Sequence, residues 1–380
     1  MNNNKSYLII ILSILSAIAP ISIATYLPSM PIMAEHYKVN ISDIELSLSI
    51  FMFGFSIGQI FGGPFSDAKG RKLSSLVGLL GYSIFSFLIT SSTSVYELWI
   101  YRFFEAFFGG LIIVNAAAII RDLYSGKEAA KYFSILGSLR TIVPMLAPAL
   151  GALILFFFTW EKIFIFLGLY SAFVAFLIFK DFKETYTYSK KNIIQSYLIV
   201  LSNKKAMTMM FVLALGFSSM FSIVTKSSFI YIEYLGLSVN QFAFFQGLNF
   251  VFFMLIAALN VKFLNYFKAK KILQFAVLSQ IILAFLFLIL NDYIGFILVI
   301  FFIVSYISMN GLIYGNATAL IMENFPHNAG VASALIGVLQ YGTASIISSI
   351  IVSFHSNSLI SVAFGMLIIS SVAFLVLKKY

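Results

Sequence analysis

Residues 54–72 read Gly54-Phe-Ser-Ile-Gly58-Gln-Ile-Phe-Gly62-Gly63-Pro-Phe-Ser-Asp67-Ala-Lys69-Gly70-Arg71-Lys72. An apolar helical run carries small residues at every fourth position. Gly54, Gly58 and Gly62 therefore fall on one face, flat enough for a second membrane helix to approach closely. The run ends in a tight charged turn, Gly63-x-x-x-Asp67-x-x-Gly70-Arg71-Lys72. A basic cytoplasmic loop that only obeys the positive-inside rule would account for Lys69, Arg71 and Lys72. It would not account for Asp67 or the glycines.

Outside this stretch, composition sets the class. The chain is 61% hydrophobic and only 10% charged, with a mean hydropathy of +1.00, far outside the soluble globular range. Its apolar runs reach about 20 residues, the length that crosses a bilayer as a helix. They are too long and too unalternated for barrel strands. The chain has no cysteine, which removes disulfides and thiolate metal sites. His36, His327 and His355 are far apart and fall in loops or at helix ends. No HExxH, Walker loop or nucleophile elbow is present. No cofactor, metal or enzymatic constellation is implied. The net charge of +10 reflects loop topology rather than nucleic-acid binding, because of where the charges lie.

Twelve spans are expected, at about 7–31, 42–64, 73–91, 96–120, 132–157, 160–179, 206–231, 239–261, 272–290, 293–322, 329–353 and 357–377. With the N-terminus inside, nineteen of the 24 Lys and Arg fall on the cytoplasmic side. Only Lys38 and Lys162 fall outside, and Arg102, Arg140 and Lys226 remain within spans. Shifting the count by one helix destroys this asymmetry, so both termini are expected in the cytoplasm. Lys5 and Ala17-Ile18-Ala19 imitate a signal peptide, but apolar character continues past Pro20, so an uncleaved first helix is expected. Residues 181–205 form the long polar segment. They divide the chain into a bundle at 1–180, a cytoplasmic linker and a bundle at 206–380. The expected fold is an all-α polytopic membrane protein with 12 transmembrane helices in two six-helix pseudo-repeat halves. The loop Lys262 to Lys271 echoes the Asp67 turn by position and basic charge, without its Asp or glycines.

The Asp67 turn resembles the signature loop between helices 2 and 3 of the major facilitator superfamily. The fuller string Gly58-Gln59, Gly63-Pro64, Ser66-Asp67, Gly70-Arg71 is similar to the bicyclomycin/chloramphenicol-resistance branch of drug:proton antiporters. Tyr26-Leu27-Pro28-Ser29-Met30-Pro31 resembles that branch's Tyr-Leu-Pro-x-x-Pro. Arg102-x-x-Glu105-Ala106-x-x-Gly109 is similar to the superfamily's Arg-x-x-Gln-Gly/Ala pattern, and Arg121-Asp122 closes the same span. Pro144 and Ala147-Pro148-x-x-Gly151 resemble the antiporter signature, with Ala147 in place of a glycine. Asn316-Ala-Thr318-Ala319 and 329–340 are again close to the branch. Members of the branch commonly carry an acid just before the Tyr-Leu-Pro. Here Ala24 and Thr25 stand there, and the first span has no carboxylate before Glu35.

Ionisable groups within a bilayer are costly and therefore functional candidates. Arg102 and Glu105 are three apart on one helical face and can pair. Glu105 lies about 12 Å along its helix from Glu97, near mid-membrane. It is read as the only acid well inside a span, hence the candidate proton carrier. A static ion pair is the alternative role. Arg140, Pro144 and Pro148 share a stripe at i, i+4, i+8. Arg140 either faces the cavity or snorkels to the cytoplasmic interface. Lys226 sits among Ser222, Thr225, Ser227 and Ser228, with Glu233 seven residues on, and either lines the cavity or reaches the outer interface. Three cations against one acid give the cavity a positive bias. Tyr26, Phe229, Tyr231, Phe245 and Asn249 are candidates for a pocket wall. Gly63, Asp67, Gly70, Arg71 and Lys72 are assigned to a gate, in which Asp67 accepts from backbone N–H groups at the next helix N-terminus and pairs with Arg71.

The resemblance implies a monomeric, proton-coupled exporter of small amphiphilic compounds in the bacterial inner membrane, working by alternating access in contact with lipid. A metabolite or sugar exporter, or a symporter, uses the same scaffold. A membrane receptor or intramembrane enzyme is the reading from another class, and the lack of a sensor domain or nucleophile–base pair speaks against it.

Overall fold

A computed structural model of the chain describes residues 3–124, 126–185, 193–290, 295–325, 329–354 and 358–378. His327, His355, Lys190, Lys191 and Lys379 lie outside the described residues, as does the side chain of Arg140. Among the described residues there is no β-strand, and twelve helices are long and apolar enough to cross a membrane.

In chain order the helices are α1 (Asn3–Tyr26), α2 (Met30–Tyr37), α3 (Ile41–Lys69), α4 (Arg71–Ile89), α5 (Val95–Leu123), α6 (Gly126–Phe157) and α7 (Glu161–Asp181). Then follow α8 (Ile193–Ser202), α9 (Lys204–Thr225), α10 (Val239–Phe263), α11 (Ala269–Leu290), α12 (Phe296–Met322), α13 (Ala329–Ser353) and α14 (Ile360–Lys378). Local chemistry sets several ends. Ser94 caps α5 by accepting from the Glu97 N–H, and Glu97 accepts from the Thr93 N–H in return. Ser238 and Gln241 cap α10 reciprocally, and Asn203 caps α9. Each cap satisfies donors that a helix N-terminus leaves free.

The first span is longer than the expected 7–31. Pro28 and Pro31 each lack a backbone donor. The chain therefore passes through a 3-10 turn at Leu27–Ser29 and resumes as α2, and the apolar element runs to Tyr37. The linker is also less uniform than its polar composition suggests. Its second half forms α8, which buries Val200 and packs on α9 and α13. The expected seventh span is interrupted: α9 ends at Thr225, and Phe229–Tyr234 form a π-helical turn.

The chain divides into two compact units, Met1–Asn40 with Ile50–Lys191, and Ile41–Ser49 with Asn192–Tyr380. In the first, α1 packs on α5, α6 and α7, and α4 packs on α5 and α7. The α3 glycines face α5 as expected: a Cβ on Gly54 or Gly58 would overlap the carbonyl oxygens of Phe103 and Phe107. In the second, α9 packs on α12, α13 and α14, α11 packs on α12 and α14, and α10 packs on α12. Span by span, the neighbours match: first with fourth, fifth and sixth, third with fourth and sixth, second with fourth. Gly311 of α12 meets the Phe253 carbonyl of α10, as Gly110 of α5 meets the Phe55 carbonyl of α3. The internal repeat that hydropathy hints at is therefore present in the packing.

Candidate functional site

The first unit encloses a charge cluster on α5. Arg102 and Glu105 are both fully buried, and Arg102 Nη1 stands 2.6 Å from Glu105 Oε2. The same nitrogen donates to Ser22 Oγ of α1 at 3.2 Å. Ser86 of α4 donates to Glu105 Oε1 at 2.7 Å. The Tyr82 hydroxyl of α4 lies beside Ser22 and Glu105. Aromatic faces enclose the guanidinium, with ring centroids at 4.7 Å for Tyr26, 4.3 Å for Phe51 and 5.6 Å for Phe164. The geometry has a chemical consequence. Cation–π attraction does not depend on the carboxyl, so the rings hold the guanidinium independently of Glu105. Among the described residues, Arg102 Nε and Nη2 find no acceptor, so the guanidinium has donors to spare. The carboxylate accepts from one charged and one hydroxyl donor.

At the other end of α5 lies the Asp67 turn. Gly70 (φ +90°) separates α3 from α4, a left-handed backbone that glycine adopts without strain. Arg71 bonds Asp67 at 2.6 Å, Asp122 at 2.8 Å and Ser66 at 2.7 Å. The Arg71 pairing with Asp67 is as expected, and Gly63 lies one turn before Asp67 on α3. The expected role of Asp67 as acceptor for the next helix N-terminus is not what the structure shows. The backbone N–H groups of Arg71 and Lys72 donate to Glu184, at 2.9 and 3.0 Å. Asp67 is already held by Arg71, and Glu184 can take both N–H groups with its two oxygens. The Lys72 ammonium donates to the Phe179 carbonyl oxygen.

On α6, Pro144 and Pro148 lie within a continuous helix. Gly151 lets that helix meet the Thr25 carbonyl of α1 and Pro28 of the turn that follows it. In the second unit Lys226 is buried and neither snorkels nor stands alone. Its ammonium is 2.9 Å from Glu45 Oε2 and 3.4 Å from Ser42 Oγ, with the Phe229 ring at 5.1 Å. Glu45 is fully buried. This corrects one expectation, since Glu105 is not the only acid inside a span, and it reduces the expected positive bias: Arg102 and Lys226 each have a counter-charge, while the side chain of Arg140 lies outside the described residues. Asn249 donates to the Tyr231 hydroxyl at 3.0 Å and to Gln246 at 3.2 Å. The Phe245 ring stacks on Tyr231 at 6.4 Å. These residues are packed together, while Tyr26 belongs to the Arg102 cluster. A cleft of about 470 Å³ in the first unit is lined by Glu35, His36, Trp160 and Glu161 among others, and by none of the residues expected to form a pocket wall.

The family profile described as Major Facilitator Superfamily matches residues 12–349. The chain belongs to the Major Facilitator Superfamily. Among relatives of this superfamily, it is 31% identical over 376 residues to the bicyclomycin resistance protein homolog of Haemophilus influenzae, covering 96% of this chain and 94% of that one. It is 33% identical over 162 residues to the chloramphenicol resistance protein of Pseudomonas aeruginosa, 42% of this chain and 39% of that one. The superfamily fold is also shared with the crystal structure of a D-xylose–proton symporter, with a TM-score of 0.77 at 15% identity over 98% of this chain and 97% of that one. The protein is thus a multi-pass membrane transporter of a major facilitator family that acts on small molecules.

Proposed function

We propose that the protein is a proton-coupled antiporter that exports small amphiphilic compounds, of which bicyclomycin and chloramphenicol are the first to test. The buried Arg102–Glu105 pair carries this reading. It is a protonatable carboxyl in mid-span, held by a cation that aromatic rings hold independently of it. One proton moving through about 100 mV releases about 2.3 kcal/mol, enough for a substrate gradient of about 50-fold. The names of the two resistance-protein relatives support the choice of compounds. In this reading the two six-helix bundles alternate access around a midplane site. The protein is a monomer in the bacterial inner membrane, with both termini and the segment at 181–205 cytoplasmic, as the Lys and Arg distribution supports.

The test uses a strain lacking its own efflux pumps. Expression should raise resistance to one or both compounds. Inverted vesicles should accumulate radiolabelled chloramphenicol or bicyclomycin when acidified inside, and lose it on adding a protonophore. Accumulation that ignores the protonophore would point instead to a facilitator or to another coupling ion.

A further inference from the structure

The Glu45–Lys226 pair plays no part in the antiport reading based on Glu105, yet it is the second buried ion pair of the molecule among the described residues. Its two members lie in one unit, Glu45 in the first turns of α3 and Lys226 at the end of α9. Lys226 stands where the α-helix stops and the backbone passes into the π-helical turn Phe229–Tyr234. π-turns inside otherwise regular helices are rare and concentrate at functional sites. Three nearby hydroxyls are bonded to backbone carbonyls instead of the carboxylate. Ser222, Thr225 and Ser227 donate to the carbonyls of Ser218, Phe221 and Val224. Glu45 is therefore the counter-charge of Lys226. One more charged group acts on the pair. Glu233, on the π-turn and outside the spans, is exposed and is felt electrostatically by both Glu45 and Lys226. Its own carboxyl is pushed up from the ordinary carboxylate range by partial burial, with Lys226 opposing. Asp43, two residues before Glu45 on α3, is half-buried, and the hydroxyls of Ser345 and Ser348 bond Ser49 one turn further on.

We propose that Glu45 is a second protonation site of the transport cycle, with Lys226 as the counter-charge of its ionised form. The proton passes from water to a Glu45 oxygen. Glu45 becomes a neutral acid, the ion pair with Lys226 breaks, and Lys226 keeps its proton and its charge. The pair changes from neutral to singly positive, and returns when the proton leaves. The π-turn is the element that this change of charge acts on, because it begins three residues after Lys226. This inference rests on the antiport reading but assigns a residue that reading does not need.

The experiment uses the full-length protein in liposomes and infrared difference spectroscopy between acid and neutral pH. The wild type should show protonated-carboxyl bands from both sites. Glu45→Gln should remove one band that Glu105→Gln leaves in place. The double variant Glu45→Gln, Lys226→Gln leaves neither charge buried alone, so it should fold as the wild type does and lack the same band. Bands unchanged in both Glu45 variants would overturn the proposal, as would chloramphenicol accumulation at the wild-type rate by the double variant. Failure of the antiport reading would look different. Wild-type accumulation would then ignore the pH gradient while the Glu45 band remained, which would also overturn the coupling role of Glu45.

Discussion

Glu105 and Arg102 differ in what their loss should do, because only one of them leaves a buried charge behind. Glu105→Gln keeps the side-chain volume and can still accept from Ser86. We expect it to exchange labelled substrate across the membrane at equal concentrations yet fail to accumulate it against a gradient. Arg102→Ala strips Glu105 of its counter-charge and empties the space between Tyr26, Phe51 and Phe164. Breaking a buried pair in this way costs about 3–5 kcal/mol, so the yield of monodisperse protein should fall along with transport. Arg102→Lys keeps the charge but loses the planar stack on the rings, and should rank between the two when all three are compared for yield and for uphill uptake. Uphill transport by Glu105→Gln at the wild-type rate would make the pair structural. The sequence shows the Arg102–Glu105 pair because spacing alone puts both on one face. It hides Glu45 for a physical reason. An acid in the first turns of a helix is favoured by the helix dipole whether it faces water or protein, and Asp43 stands two residues away with the same credentials. Only burial separates them.

Among the elements, α3 and α5 are bound by close backbone approach. A Cβ on Gly58 would meet the carbonyl of Phe107 and the Cα of Gly110, so neither neighbour can rotate out of the way. Gly58→Val should therefore force the helices apart, costing about 1–3 kcal/mol or more, read as a lower melting temperature in detergent. The cytoplasmic turn has a different weakness. Gly70→Ala puts a side chain on left-handed backbone, a strain of about 1–3 kcal/mol, and pushes it against Glu184. Asp67→Asn weakens one of the two acids on Arg71 and leaves Asp122. We expect near-normal expression, strongly reduced transport, and greater reactivity of cysteines engineered beside the turn. Normal transport by Asp67→Asn would remove it from any gating role. The glycines, Asp67 and Arg71 are legible because they recur at helical spacing within nineteen residues. Glu184 is not, since its partners are 113 and 112 residues away and it sits in a stretch whose composition reads as solvated linker.

For the whole molecule, orientation is open to direct measurement, because the chain has no cysteine of its own. Asn40→Cys and Lys183→Cys both place a thiol at an exposed position. In intact cells a membrane-impermeant maleimide should label the first, and should label the second only after permeabilisation. The reverse pattern would invert the proposed topology. Span number and order are legible from hydropathy because a bilayer imposes its thickness on every crossing. The breaks at Leu27–Ser29 and Phe229–Tyr234, and the short helix at Ile193–Ser202, are not. An apolar helix, a 3-10 turn and a π-turn have the same hydropathy and differ only in where their backbone donors go.

The bond from Glu184 to the start of α4 also bears on biogenesis. A ribosome reaches Glu184 only after the sixth span has been made, so the nascent chain holds the N–H groups of Arg71 and Lys72 without that acceptor for more than a hundred residues of synthesis. The turn between the second and third spans is thus completed last, and retroactively, by the segment that ends the first bundle. Nascent chains stalled just before Glu184 should leave that turn open to protease, and chains stalled well beyond it should protect it. The end of the first half would then act as a checkpoint for its own assembly before the second half enters the membrane.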